Sequence, residues 1–193
     1  MPVKKMLDSN LVIYSLLDGH PLSRKCEEFI KRSMENITWV TTPVTFFESY
    51  FILKKAYGCD EEQVVEKIDA LLKLPMEVRP ITREDVLPAL RTCSKFNLHI
   101  NDGLLYNLAL SAGISSLATD DENLMKVCSE SGISVETAIT PRDREELVEW
   151  ERENLPEKGL PRILLGVYNW LNVQDAEMAH KFEEETNYFK KLP

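Results

Sequence analysis

Glycine is scarce in this chain, seven in 193 residues, and no Gly-x-Gly-x-x-Gly, phosphate-cradling Gly-rich loop or nucleophile elbow can be assembled from them. The three histidines, His20, His99 and His180, are too scattered to form a metal pair at helical spacing, and each reads as a surface or capping residue. Cys26, Cys59, Cys93 and Cys128 stand alone with no Cys-x-x-Cys, which argues against a zinc site and for reduced, mostly buried thiols of a cytoplasmic protein. A basic-then-apolar leader is missing, and so is an apolar run long enough to cross a bilayer, so neither secretion nor membrane insertion is expected. Positive charge is also short: 23 Lys and Arg face 32 Asp and Glu, a net charge of −9, which excludes nucleic-acid binding by bulk electrostatics.

What is present is a 44% hydrophobic chain with enough length for one domain and an accessory piece. Short apolar runs alternate with helical periodicity. The order reads strand 3–7, helix 9–17, helix 21–35, strand 37–41, helix 43–57, helix 61–73, strand 77–80, helix 83–96, helix 102–112, strand 114–118, helix 122–129 and a short strand near 133–136. That alternation predicts an α/β fold, a three-layer α/β/α sandwich with a mostly parallel central sheet over residues 1–138. Residues 139–193 differ in character and read as an α-helical C-terminal extension. A charged helix runs from Thr140-Pro141 to Asn154, a break spans Pro156 to Pro161, an apolar helix containing Tyr168 and Trp170 reaches Leu171, and a last helix starts at Asn172 with Ala176, Ala179, Phe182, Thr186 and Phe189 on one stripe. The apolar helix suits a homodimer interface with Trp170 as an anchor; cover for its own domain is the alternative.

Four acidic residues have no evident structural employment. Asp8 ends the first strand, where Asp8-Ser9-Asn10 leads into the apolar Leu11-Val12-Ile13-Tyr14, and N-capping is its bland explanation. Glu48 sits in the apolar helix beginning at Pro43, and since a lone buried carboxylate is unfavourable it needs either a metal or a salt bridge, for which Lys55 on the same helix face is a partner. Asp102 opens a helix and can cap it. Asp121 follows a strand in Thr119-Asp120-Asp121-Glu122, where Thr119 or Asp120 can cap and leave Asp121 in the first turn. Four acids at strand ends and helix starts of one α/β sheet lie where such folds present ligand groups, and together they suit hard divalent cations.

These residues resemble the PIN-domain nucleases, in particular the VapC-like ribonucleases of prokaryotes. The resemblance rests on Leu7-Asp8-Ser9-Asn10, the His20-Pro21-Leu22-Ser23 stretch, Glu48 in its apolar helix, Asn101-Asp102 before Leu-Leu, and Thr119-Asp120-Asp121-Glu122-Asn123-Leu124, and it covers about residues 1–138. Ser9 stands where that family usually has threonine, and Leu124 where it usually has an aromatic. The resemblance implies a metal-dependent endoribonuclease in which Asp8, Glu48, Asp102 and Asp121 hold one or two Mg²⁺ or Mn²⁺ ions, with Asn10, Thr119 and Asp120 around them. It implies an RNA substrate, and either a toxin with an antitoxin partner or an RNA-processing nuclease. Lys54 and Lys55 are candidate phosphate contacts or a solvated helix end. The reading from a different class is a non-catalytic protein- or RNA-binding module of the same fold, in which the acids only cap helices.

Overall fold

The computed structural model describes residues 3–33, 36–154 and 160–186. Five short strands, β1 (Val3–Leu7), β2 (Ile37–Thr41), β3 (Glu77–Val78), β4 (Ser116–Ala118) and β5 (Ser134–Glu136), form one sheet in the order β3-β2-β1-β4-β5. Every neighbouring pair is parallel. All strand ends therefore share one rim. The chain proceeds from β1 to β2 and β3 on one side, then to β4 and β5 on the other, which puts the topological switch beside β1.

The helices cover both faces because successive residues of a strand point opposite ways. Met6, Val40 and Leu117 face a cluster built from α5 (Arg83–Phe96), α6 (Ile100–Ala112) and α7 (Glu122–Glu130). Their neighbours Leu7, Trp39 and Ala118 face α1 (Ser9–Leu16), α2 (Ser23–Ser33) and α4 (Glu61–Leu72). Helix α3 (Pro43–Lys55) contributes Val44 to the first cluster and Phe46 to the second, so it bridges the two layers at the end of β2. The three-layer α/β/α arrangement expected from sequence is observed. Among the described residues no helix is long and apolar enough to cross a membrane.

Helix α8 (Pro141–Asn154), beyond residue 138, packs on this core through Leu147, preceded by the buried Ile139. Its first turn is closed by Thr140 and Asp143, and Asp143 also pairs with Lys25 of α2. Helices α9 (Leu160–Gln174) and α10 (Ala176–Thr186) pack on each other, burying Leu171 and Ala179. The last helix starts at Ala176, not Asn172. Asp175 makes the break by accepting the Glu177 and Met178 N–H groups at 3.0 and 3.1 Å, a cap the apolar stripe does not reveal. Of the break expected over 156–161, residues 156–159 lie outside the described residues, as does Phe189; Pro161 is already in the first turn of α9, where proline is tolerated.

Of the two roles expected for His20, surface or capping, the surface placement is not observed: it is buried and accepts a backbone N–H ahead of α2. It stacks on Tyr14 and meets Trp150 of α8 edge-on, and its Nδ1 accepts the Leu22 N–H at 3.2 Å. Helix α6 begins at Ile100, two residues earlier than its sequence pattern indicates, and lies flush on α5 at Gly103. A Cβ there would overlap Cys93 Sγ and stand 3.0 Å from the Ala89 carbonyl oxygen. Gly103→Ala gains intrinsic helix propensity but overpacks this crossing, and overpacking is the larger effect. Its expected net cost is about 1–2 kcal/mol in chemical denaturation. Adding Cys93→Ala should recover part of that loss; a neutral or stabilising Gly103→Ala would refute the close crossing.

Candidate metal centre at the carboxyl rim

Asp8 follows β1 directly and is almost completely buried. Its backbone N–H extends the pairing of β1 with β4 by donating to Ala118 O at 3.0 Å. One carboxylate oxygen, Oδ1, accepts from the Ser9 N–H at 2.6 Å and from Asn101 Nδ2 at 3.4 Å; the other, Oδ2, accepts from the Thr119 hydroxyl at 2.7 Å. That hydroxyl in turn accepts from Asn10 Nδ2 at 3.1 Å and from the Asp121 N–H at 3.0 Å. Thr119 thus ties Asp8, Asn10 and Asp121 together through one oxygen.

Asp121 occupies the N-cap of α7, its Oδ1 accepting from the Leu124 N–H at 2.8 Å. The cap is Asp121 itself, rather than Thr119 or Asp120 as the sequence suggested. Asp120 looks the other way, paired with Arg144 of α8 at 2.5 Å. Asp102 lies in the first turn of α6, whose N-cap is His99, and it takes a backbone hydrogen bond from His99. Capping therefore accounts for one oxygen of these acids, as the bland reading holds, but it does not account for their being gathered in one place.

Glu48 reaches the same place from α3. Its Oε2 is buried without a hydrogen-bond partner, and the alternative to a metal, an ion pair with Lys55, does not form: Lys55 is exposed, and Lys54 pairs with Glu61. Lys54, a candidate phosphate contact, is thereby engaged elsewhere. Helix α3 is also less enclosed than its composition implies, since Phe47 and Phe51 are 71% and 62% exposed.

The electrostatics record the crowding. Burial pushes the Asp8 carboxyl up to about 6 against the hydrogen bonds from Thr119 and Ser9, with the charges of Glu48 and Asp121 adding to the rise. Burial, then the charges of Asp8, Asp121 and Glu48, push Asp102 up to about 8. The four acids drawn from β1, α3, α6 and the end of β4 thus feel one another, and among the described residues none of the four is ion-paired with a basic side chain. They are not an assembled coordination sphere: among the described residues no three His, Cys, Asp or Glu side chains stand in a closed metal-holding arrangement. The donor chemistry nonetheless fits a hard divalent cation, with the unpartnered Glu48 Oε2 and the mutual repulsion as the observations that favour one. A cleft of about 380 Å³ lies elsewhere, between α1, α2 and α4, and none of the four acids lines it.

Asn101, quoted from sequence only as part of the Asn101-Asp102 motif and given no role there, bridges Asp8 and Ser9 Oγ while its Oδ1 has no partner. Thr42, the fully buried N-cap of α3, also has an unpartnered hydroxyl, and no sequence signal pointed to it.

A parallel α/β sandwich with acidic residues gathered at its topological switch defines the class. The chain belongs to the PIN domain family, whose profile matches residues 5–130. Comparison with curated proteins finds no match. Among solved structures, the fold is similar to VapBC2 from Rickettsia felis bound to a DNA fragment from its promoter, with 16% identity and a TM-score of 0.54 over 70% of this chain and 98% of that one. It is similar to the same extent, at 14% identity and a TM-score of 0.54 over 70% and 98% of the two chains, to Mycobacterium tuberculosis VapC20, a sarcin-ricin loop cleaving toxin.

The raised carboxyls have a consequence for stability. Each binds its proton more tightly folded than unfolded, so its contribution is complete below the ordinary value of 3.8 and is lost as pH rises through about 6 for Asp8 and about 8 for Asp102. His20, lowered to about 4 by burial, runs oppositely: its contribution is present above 6.5 and lost as pH falls through about 4. Between 6.5 and 8 the carboxyls dominate, because the cysteine thiols, raised by burial, add to the loss only as pH approaches their ordinary value of 9.0. Metal-free protein should melt higher at the lower end of that window, by on the order of 5 °C, and Asp102→Asn should remove most of the difference. A flat calorimetric profile for the unsubstituted chain would contradict the account of Asp102.

Proposed function

We propose that this chain is a metal-dependent endoribonuclease of the PIN type, hydrolysing phosphodiester bonds of RNA. The observation that carries the reading is the gathering of Asp8, Glu48, Asp102 and Asp121 at the switch point with, among the described residues, no basic side chain paired to any of them. They are the groups that would hold one or two Mg²⁺ or Mn²⁺ ions. Such an ion supplies a water of lowered pKa and offsets charge on the scissile phosphate. The chain's own contribution is orientation: Thr119 and Asn101 aim the Asp8 carboxylate, and Asn10 aims Thr119. Carboxyls that hold protons near neutrality must release them to bind a cation, so metal affinity should rise from pH 6 to pH 8.

RNA as substrate, and an antitoxin as partner, are drawn from the family and from the toxins whose folds resemble this one. The net charge of −9 supports a substrate that approaches only after cations have offset the acidic rim. A toxin and an RNA-processing nuclease both accommodate these residues. Within this reading residues 1–138 are the nuclease domain and 139–193 the extension, with α8 as the joint. A homodimer through α9 is part of it as well: Val167, Trp170 and Val173 recur along that helix and stay exposed, Trp170 by 58%.

Asp8→Asn or Asp102→Asn should abolish Mn²⁺-dependent cleavage of single-stranded RNA while the metal-free circular dichroism spectrum is unchanged. Asp121→Asn should weaken Mn²⁺ binding in calorimetry more than Asp120→Asn does. Wild-type cleavage by any of the first two, with contaminating nuclease excluded, would remove that acid from the site. Failure of Mn²⁺ to raise the melting temperature of the unsubstituted chain would favour the non-catalytic module.

Light scattering on Trp170→Ala addresses the dimer: the full chain should run as a dimer and the variant as a monomer at micromolar concentration. A chain ending at Asn154 should also be monomeric and soluble, because it retains Ile139 and Leu147 in the core. A monomeric full chain would refute the dimer.

A further inference from the structure

The family match ends at residue 130, yet the loop that carries Thr119 and Asp121 is gripped from beyond it. Arg144, in the first turns of α8, pairs through Nη2 with Asp120 Oδ1 at 2.5 Å and through Nη1 with Glu122 Oε1 at 3.4 Å. These two acids flank Asp121. The Asp120 side chain is only 7% exposed, so its charge sits in a partly dry seam where a partner is needed. Asp120 has other tethers on that side: Thr137 Oγ1 donates to its Oδ1 at 3.4 Å, and its own N–H donates to Asn10 Oδ1 at 3.3 Å. Arg144 is itself well placed to grip, because α8 is anchored by Ile139, by Leu147 and by the Asp143 pair with Lys25.

The two adjacent aspartates therefore look in opposite directions, Asp120 toward α8 and Asp121 toward Asp8 and Asp102. We propose that Arg144 is a positioning residue for the rim: by neutralising Asp120 and bracing Glu122, it holds the loop after β4 so that Asp121, and not Asp120, faces the other carboxylates. The inference rests on the metal-dependent reading for its functional effect, though not for the grip itself. Without Arg144 the Asp120 carboxylate is left buried with no cationic partner and only the Thr137 hydroxyl as a donor. It leaves that seam either for solvent or for the nearby cation site, and in both cases the shared backbone turns Asp121 away.

The grip is tested without metal. In Arg144→Gln, hydrogen exchange of the Asp120, Asp121 and Leu124 amides should speed up by about tenfold or more, while the Asp8 amide, held by Ala118 O, keeps its protection. Arg144→Lys, which keeps the charge and loses the fork, should fall between the two. Adding Asp120→Asn to Arg144→Gln should restore protection, because no unpaired charge is left to leave the seam. Unchanged exchange in Arg144→Gln, or no restoration by Asp120→Asn, overturns the proposal and shows that Arg144 only helps dock α8.

The functional effect is read as a double-mutant cycle on Mn²⁺ binding. Asp120→Asn should change affinity less than about twofold alone and more than about fivefold in the Arg144→Gln background. With RNA, Arg144→Gln should lower kcat and leave KM unchanged. Additive effects on Mn²⁺ binding overturn the positioning role. Loss of amide protection in a chain that binds no Mn²⁺ at all leaves the grip standing and overturns the metal-dependent reading instead.

Discussion

The lateral pairing of β1 with β4 is the constraint from which the rest follows. It is short, Met6 against Leu117 and Leu7 against Ala118, and it is continued past the strand end by the Asp8 N–H on Ala118 O. Because both strands run the same way, their carboxyl ends emerge together, and the side chains that follow them face each other across the switch point. The Thr119 hydroxyl then has Asp8 within reach. Were the two strands antiparallel, Asp8 and Thr119 would stand at opposite rims.

That geometry holds like charges together against their repulsion. An isolated acid at a helix start is stabilised by the amide groups it caps, and Asp8, Asp102 and Asp121 each receive such a bond. Burial works against this, and the gathering of the four acids adds to it, which is why Asp102 keeps its proton to about pH 8. The fold tolerates the opposition because the surrounding core is strongly specified on both faces of the sheet, with Leu7, Trp39 and Leu117 completely buried. Strain of this kind concentrates at functional sites, and here the protons that Asp8 and Asp102 retain relieve it.

The helix beyond the family match is not a passive cap. Through Leu147 it completes the core, through Trp150 it closes the aromatic surroundings of His20, and through Arg144 it reaches the loop beside the acids. In a chain whose relatives in fold align over 70% of its length, the additional helices therefore divide into one that is structurally continuous with the site and two, α9 and α10, that bury Leu171 and Ala179 against each other while leaving Trp170 exposed.

The element order, the parallel sheet and the two covered faces were legible from sequence alone, because strand and helix periodicity are local properties and the alternation of the two restricts topology. So were Asp8, Glu48, Asp102 and Asp121 as candidates, since an acid in an apolar setting stands out without any contact being known. Where each carboxylate points was not legible. Asp120 and Asp121 are adjacent and chemically identical, and only the arrival of Arg144 from 23 residues further along the chain, together with the α7 cap, separates them. The burial of His20 behind Trp150, the lack of a lysine partner for Glu48 among the described residues and the Asp175 break between α9 and α10 were likewise decided by packing and by side-chain geometry. Composition and spacing carry hydrophobic periodicity forward into a fold, but hydrogen bonds and ion pairs between distant segments exist only once the chain has closed.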